Sequence, residues 1–404
     1  MQKRFYMDKQ RQEFDFKGEC LAYGYNSAFS LDMIKGKHIL LLFGGRSTEH
    51  MVACRSAQFI AQALAKLPIK LSLVGITETG EFLPYPFNGE LDSASWEKIA
   101  RNELAKRKIE PSLVTSPRAF LTALSQDASP IDLVFPVLHG VNCEDGAIQG
   151  LLRLANVPFV GSDILASACG MDKVTCKELL EVKGLPVVPW LAYERQRLKY
   201  DMEEVVKELE QAIKYPVFVK PSNAGSSVGA SRVNNREELL LALAEASRFD
   251  RLVLVEKCKR VRELECAVLG NSPYYLTGPV GEIIVKTDNA VYDYQTKYFS
   301  NQASEACIPS PLAPELARQI QDYAIDICKY LQVSGLSRVD FFLDKDDNKL
   351  YVNEINTFPG FTSISLFPKV FAKAGIKAEE LCVRLLCLAL EDYANKQREE
   401  QIKA

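Results

Sequence analysis

The chain is short of histidine and tryptophan. Of its 404 residues, three are histidines (His38, His50 and His139) and two are tryptophans. Histidines so few and so far apart in the sequence do not make a histidine-based zinc centre. There is no Cys-x-x-Cys pair either, and the 11 cysteines stand singly in apolar runs. This excludes a zinc ribbon and a disulfide framework, and it fits a reduced, cytoplasmic chain. Long hydrophobic runs are missing. A stretch such as "HILLLF" falls far below the roughly 20 residues that span a bilayer, and the opening "MQKRFYMDKQRQEFDFKGEC" lacks the apolar segment of a secretory signal. An excess of one charge is missing too: the net charge is −3, which gives no electrostatic basis for bulk binding to nucleic acid. The first strand is not followed by Gly-x-Gly-x-x-Gly, so a hydride-transferring dinucleotide enzyme is disfavoured.

What is present is an ordinary globular composition, 47% hydrophobic and 25% charged, long enough for about two or three domains. "KHILLLFGG" reads as a buried strand ending in a Gly-Gly turn. A helical pattern follows from Ser56 to about Leu67, then the strands "KLSLVGIT" and "IDLVFPVLHG". Strands alternating with helices predict a parallel sheet, with ligands beyond the carboxyl ends of its strands. That edge carries Glu49 in "FGGRSTEH" and His139 in "LHGVNCEDG". A second block starts near Gly161, with a helix stopped by Gly184, strands "PVFVK" and "RLVLVEK", and a helix over 235–247. A third holds "ELECAVLG", "GEIIV", a helix over 314–332, the pair "SRVDFFLD" and "KLYVNEIN", and an amphipathic helix near 378–396. The expected divisions are an extension at 1–35, able to rest on the fold through Phe5, Tyr6, Phe14 and Phe16; domains at 36–160, 161–260 and 261–395; and a tail at 396–404.

Three segments have the composition for chemistry. "KPSNAGSSVGAS" (220–231) lies between two apparent strands, and its lysine precedes its glycines, the reverse of a Walker loop. Backbone N–H groups and serine hydroxyls in such a turn can close over phosphates, with Lys220 as point charge. A solvated hairpin tip has the same composition, so both readings stay open. "SRVDFFLDKDDNKLYVNEIN" reads as a hairpin. If Asp344 pairs with Leu350, Asp340 lies opposite Glu354 and Arg338 opposite Asn356, all on one face. Two like charges at roughly 4 Å repel by about 4 kcal/mol at an effective dielectric of about 20. A divalent cation held by these oxygens would remove that repulsion; a solvated polar face is the alternative. "NTFPGFTSISLFP" follows at once, and Pro359-Gly360 forces a turn. Glu49 can cap the helix it precedes or hold a substrate ammonium.

Together these strings resemble the D-alanine–D-alanine ligase family of the ATP-grasp superfamily. The matching runs are "LLFGGRSTEH", "FPVLHGVNCEDGAIQG", "GSDILASACGMDK", "FVKPSNAGSSVGAS", "VEK", "RELECAVLG", "YDYQTKY", "SRVDFF" and "NEINTFPGFTSISLFPK", in family order over about residues 37–390. The resemblance implies an α/β ATP-grasp fold behind an N-terminal Rossmann-like domain. It implies ATP as substrate, two Mg²⁺ or Mn²⁺ ions, D-alanine as amino-acid substrate and a homodimer. By the same resemblance, Lys173, Lys220, Ser227 and Lys297 would meet the phosphates. Glu256 and the backbone at Lys257 and Cys258 would bind adenine, and Glu263 the ribose. Asp340, Glu354 and Asn356 would hold the metal. Glu49, joined to Ser226 and Tyr298, would bind the first ammonium, with His139 nearby. Arg338 and the Gly360 N–H would face the oxyanion, and Ser365 and Leu366 the second substrate. Tyr298 and Leu366 resemble the dipeptide-forming type. The chain departs from the family's usual pattern at Met51, Ala53 and Cys143. A nucleotide-binding regulator would be expected to lose Asp340, Glu354 or Arg338, and all three are present.

Overall fold

The computed structural model describes residues 29–107, 116, 119–120, 130–285 and 304–403. Lys297 and Tyr298 lie outside the described residues, as do residues 1–28.

The first sheet has the order β3-β2-β1-β4, with β1 at His38–Gly44, β2 at Lys70–Ile76, β3 at Phe82–Tyr85 and β4 at Leu133–Leu138. Strand β1 runs parallel to both β2 and β4. All seven β1 residues are buried, which is why "HILLLFG" is continuously apolar rather than alternating. One face of this sheet (Ile39, Leu41, Phe43, Phe135) packs into a core shared with the helices Leu366–Lys373 and Ala378–Lys403. The other face (Leu40, Leu42, Val134) forms a smaller core. The C-terminal helices are therefore part of the N-terminal unit's core. The last helix runs through the stretch expected as a tail to Lys403. Ile34, expected within the extension, is fully buried in the same core.

The second sheet is antiparallel, with β5 (Trp190–Glu194), β6 (Val217–Pro221), β7 (Ser231–Val233) and β8 (Leu252–Lys257) in the order β5-β8-β6-β7. The third has the order β12-β11-β9-β13-β14, with β10 added to β9. Its strands are β9 (Val261–Asn271), β10 (Tyr274–Thr277), β11 (Gly281–Val285), β12 (Ser304–Cys307), β13 (Ser334–Asp344) and β14 (Leu350–Asn356). The helices Ile164–Met171 and Lys173–Val182 pack with this third sheet, burying Ala166, Cys176 and Leu180 against Leu264, Val339 and Ile355. The stretch expected as one unit at 161–260 is thus divided: its first helices join the β9–β14 core, and the second sheet has a separate core of its own. Among the described residues no helix is long and apolar enough to cross a membrane.

Candidate active site

The hairpin β13–β14 reaches the expected face by an unexpected route. Leu343, not Asp344, pairs with Leu350, a one-residue slip from the predicted register. A β-bulge between Phe341 and Asp340 then absorbs Asn353 and restores the alignment, so that Asp340 faces Glu354 and Arg338 faces Asn356. The Arg338 fork donates to both Asp340 oxygens at 2.6 Å, and the Asn356 amide donates to the same carboxylate at 3.0 Å. On the other side, Arg338 Nε lies 3.0 Å from Glu265 Oε2. Glu265 sits opposite Asp340 on β9, so Glu265, Asp340 and Glu354 form one cross-strand row. Sequence reasoning passed over Glu265, although it stands two residues after Glu263 on the same strand. Both glutamates line the central cavity.

That cavity measures about 360 Å³ and lies between the second and third sheets under the 224–230 loop. Its cationic wall is built from Lys220 on β6 and Glu256 on β8. Lys220 Nζ is 2.6 Å from Glu256 Oε2. Lys177, from the helix Lys173–Val182, lies 2.6 Å from Glu256 Oε1 and is 1% exposed. Burial alone would raise the Glu256 carboxyl, but the charges of Lys177 and Lys220 outweigh it and hold the group at about 2. Burial would likewise lower Lys220; the Glu256 and Glu354 charges outweigh it and raise the ammonium. Lys173 donates to the Ala224 carbonyl at 2.8 Å and stands 3.7 Å from Glu354. Lys177 was not foreseen, yet the spacing of Lys173 and Lys177 puts them one helical turn apart on one face. At the expected adenine site, the Lys257 N–H donates to Pro189 O and the Cys258 N–H to Pro216 O, so both N–H groups are committed within the protein.

Glu49 is 7% exposed and occupies the N-cap position of the helix His50–Leu64 without a side-chain capping bond. Its carboxylate instead accepts a short hydrogen bond from Ser226 Oγ. The 224–230 loop closes on it so tightly that a Cβ on Gly225 would lie 2.0 Å from Glu49 Oε2, and one on Gly140 would lie 2.8 Å from the same atom. Ser226 and Ser227 both have positive φ, 51° and 59°, sparsely populated for residues with a Cβ. Ser227 lines the cavity. The loop therefore touches the cavity at Ser227 and the N-terminal unit at Glu49.

His139 is 3% exposed and does not line the cavity. Its Nε2 pairs with Ser56 Oγ at 3.2 Å and its Nδ1 with Phe358 O at 3.1 Å. Its place is behind the 356–361 loop. Glu144 helps hold that loop, accepting from Phe358 N at 3.2 Å and Gly140 N at 2.7 Å. Ser56 accepts from Phe361 N at 3.2 Å. Gly360 is thus carried on a turn fixed on both sides. Leu366 is 5% exposed within the main core, Ser365 Oγ accepts from Thr362 N at 3.0 Å, and neither lines the cavity. Ala53 is fully buried, and Cys143 is 3% exposed against Gly45, where an added Cβ would lie 2.7 Å from its sulfur.

Asp340, Glu354 and Asn356 offer hard oxygen donors on one face, the donor type a Mg²⁺ or Mn²⁺ ion takes. Among the described residues no group of three His, Cys, Asp or Glu side chains could hold an ion alone. An ion here would complete its shell with water or phosphate oxygens, which is how Mg²⁺ is usually held.

A mixed N-terminal sheet with a parallel β2-β1-β4 core and an antiparallel edge strand β3, two antiparallel sheets enclosing a lysine-lined cavity, and acids on the closing hairpin define a ligase of the ATP-grasp class. The comparisons narrow this. Residues 38–162 match the family model described as D-ala D-ala ligase N-terminus, and residues 179–387 match D-ala D-ala ligase C-terminus. The D-alanine–D-alanine ligase of Ruminiclostridium cellulolyticum is 43% identical over 371 residues, covering 90% of this chain and 98% of that one. That of Acetivibrio thermocellus is 44% identical over 375 residues, with the same coverage. Among solved structures, the D-alanine–D-alanine ligase of Coxiella burnetii superposes with a TM-score of 0.73 at 31% identity, covering 91% of this chain and 98% of that one. The VanG D-Ala:D-Ser ligase of Enterococcus faecalis gives 0.72 at 32%, covering 88% and 100%. The chain belongs to the D-alanine–D-alanine ligase family.

Proposed function

We propose that this chain joins two D-alanine molecules into D-alanyl-D-alanine, with ATP converted to ADP and phosphate, for peptidoglycan precursor synthesis. The observation that carries the reading is the 220–231 segment, which has a phosphate-type lysine at one end and places Ser226 on Glu49. A carboxylate is a poor electrophile. Transfer of the γ-phosphoryl group to the first D-alanine makes an acyl phosphate; the free amine of the second then attacks its carbonyl carbon and phosphate leaves. Lys173 and Lys220 hold the phosphates. Glu256 and the carbonyls of Lys257 and Cys258 take the adenine, and Glu263 the ribose. Glu49, oriented by Ser226, holds the first ammonium. Arg338 and the Gly360 N–H stabilise the oxyanion, each donor worth roughly 3–4 kcal/mol by analogy with other acyl-transfer sites. Mg²⁺ or Mn²⁺ held by Asp340, Glu354 and Asn356 supplies charge neutralisation at the transferring phosphoryl group when bound.

Lys297 and Tyr298 complete the phosphate and Glu49 contacts in this reading, and His139 acts by positioning the 356–361 loop. The closed 224–230 loop excludes water, which would hydrolyse an acyl phosphate. A cytoplasmic homodimer is the expected setting. The test is phosphate release from ATP on adding D-alanine, with Glu354→Gln as the inactive control. Release that does not depend on D-alanine would remove the reading. D-serine and D-lactate run in parallel decide the second substrate, and faster use of either than of D-alanine would reassign it.

A further inference from the structure

Lys177 does not line the cavity, yet it sits beside the phosphate lysine. Its ammonium is buried and meets Glu256 Oε1 at 2.6 Å as an ion pair off the hydrogen-bonding angles, leaving both atoms without a hydrogen-bond partner. The other Glu256 oxygen faces Lys220 at 2.6 Å. Two ammoniums thus share one carboxylate, in a place where an uncompensated charge is strongly unfavourable. Lys220 is in contact with the cavity and Lys177 is behind it. If Lys220 were the sole partner of Glu256, turning toward a phosphate would strand a buried carboxylate. With Lys177 in place, Glu256 keeps a counter-charge when Lys220 moves.

We propose that Lys177 is a positioning residue of the nucleotide site: it neutralises Glu256 from the buried side and so leaves Lys220 free to place its ammonium on a phosphate. It also ties the helix Lys173–Val182, which packs on the third sheet, to β8 of the second. One residue thereby fixes the charge of the cleft and one of its closures. The proposal deepens the ATP reading and rests on it.

The test uses the full chain titrated calorimetrically with Mg²⁺ and ATP, and separately with adenosine, without D-alanine. Lys177→Met weakens ATP binding by about 10-fold or more, whereas adenosine, which lacks phosphates, changes by less than about 3-fold. Glu256→Gln removes the charge that Lys177 neutralises. The double variant Lys177→Met/Glu256→Gln therefore binds ATP within about 3-fold of Glu256→Gln alone, a coupling that a purely structural lysine would not show. This double variant leaves no charge in the buried Lys177–Glu256 contact, and Lys220, which lines the cavity, keeps the neighbouring Glu354 charge, so it keeps the question answerable if Lys177→Met does not fold. Unchanged ATP affinity in Lys177→Met, equal loss of ATP and adenosine, or an undiminished loss in the Glu256→Gln background would each overturn the proposal. Failure of the unsubstituted chain to bind ATP would overturn the proposal together with the reading beneath it.

Discussion

The two walls of the cavity handle buried charge in opposite ways. On the β6–β8 wall, Lys177 and Lys220 share one carboxylate, Glu256, so cations are in excess. On the β9–β13–β14 wall, a single guanidinium, Arg338, stands among Glu265, Asp340 and Glu354, so anions are in excess. A polyphosphate suits the first wall as it is. The second wall accepts phosphate only when further cations join it, which is the electrostatic case for a divalent metal there. A substrate with several phosphates and bound Mg²⁺ matches both walls, and neither wall alone specifies it.

The largest effect should come from removing the guanidinium of the acidic wall. Arg338→Met is expected to lower D-alanine-dependent phosphate release by about 1000-fold or more, through loss of the proposed oxyanion donor. It should also lower unfolding free energy by roughly 3 kcal/mol, because Glu265 and Asp340 lose their buried partner. A variant retaining a tenth of the activity would show that the guanidinium only balances charge. Glu354→Gln comes next, and lightens the same wall by one negative charge. Activity should fall by roughly 100-fold or more, and the metal concentration needed for half-activity should rise. An unaltered metal requirement would take Glu354 out of the proposed metal set.

Gly225→Ala probes the loop that bridges the walls and Glu49. Its new Cβ meets Glu49 Oε2 at 2.0 Å, so the closed arrangement is blocked and the loop must stand off. The KM for D-alanine should rise by about 10- to 100-fold, with thermal stability little changed because the loop contributes little core. Wild-type kinetics in this variant would mean that the observed Glu49–Ser226 contact is not made during turnover.

The two walls were not equally legible in the sequence. The hairpin acids could be read because strand periodicity keeps Arg338, Asp340, Glu354 and Asn356 on one face. Even so, the predicted register held at the site only because a bulge at Asn353 cancelled a one-residue slip nearer the turn. Glu265 and Lys177 were missed because their importance comes from partners far along the chain, Arg338 and Glu256, which local periodicity does not reveal. His139 and Leu366 were placed by analogy at the substrate. His139 turns both ring nitrogens to the protein, and Leu366 is buried in the core. The alternating N-terminal sheet was read from its apolar runs. The short strands β3, β10 and β12 escaped notice, since a four-residue element carries too little pattern to be called from sequence.

The smallest effect should appear as a change of slope. Glu144 joins the N-terminal unit to the 356–361 loop, and its carboxyl is pushed up to about 8, first by burial and then by the neighbouring Glu49 charge, against the lowering pull of its backbone donors and Arg338. A carboxyl whose folded value lies above its unfolded value of about 4.5 binds more protons when folded over the interval between them. Its contribution is therefore intact below about pH 4.5 and is lost as pH rises toward about 8. The side chain keeps 13% of its surface exposed to the open cleft, which holds the effect to the order of 1–2 kcal/mol. Glu144→Gln cannot ionise. Urea unfolding at several pH values from 5 to 8 should show wild-type stability falling relative to the variant as pH rises, whatever constant offset the altered hydrogen bonds introduce. Parallel stability curves would show that Glu144 is ionised throughout that range, with its two backbone donors and Arg338 outweighing both burial and Glu49.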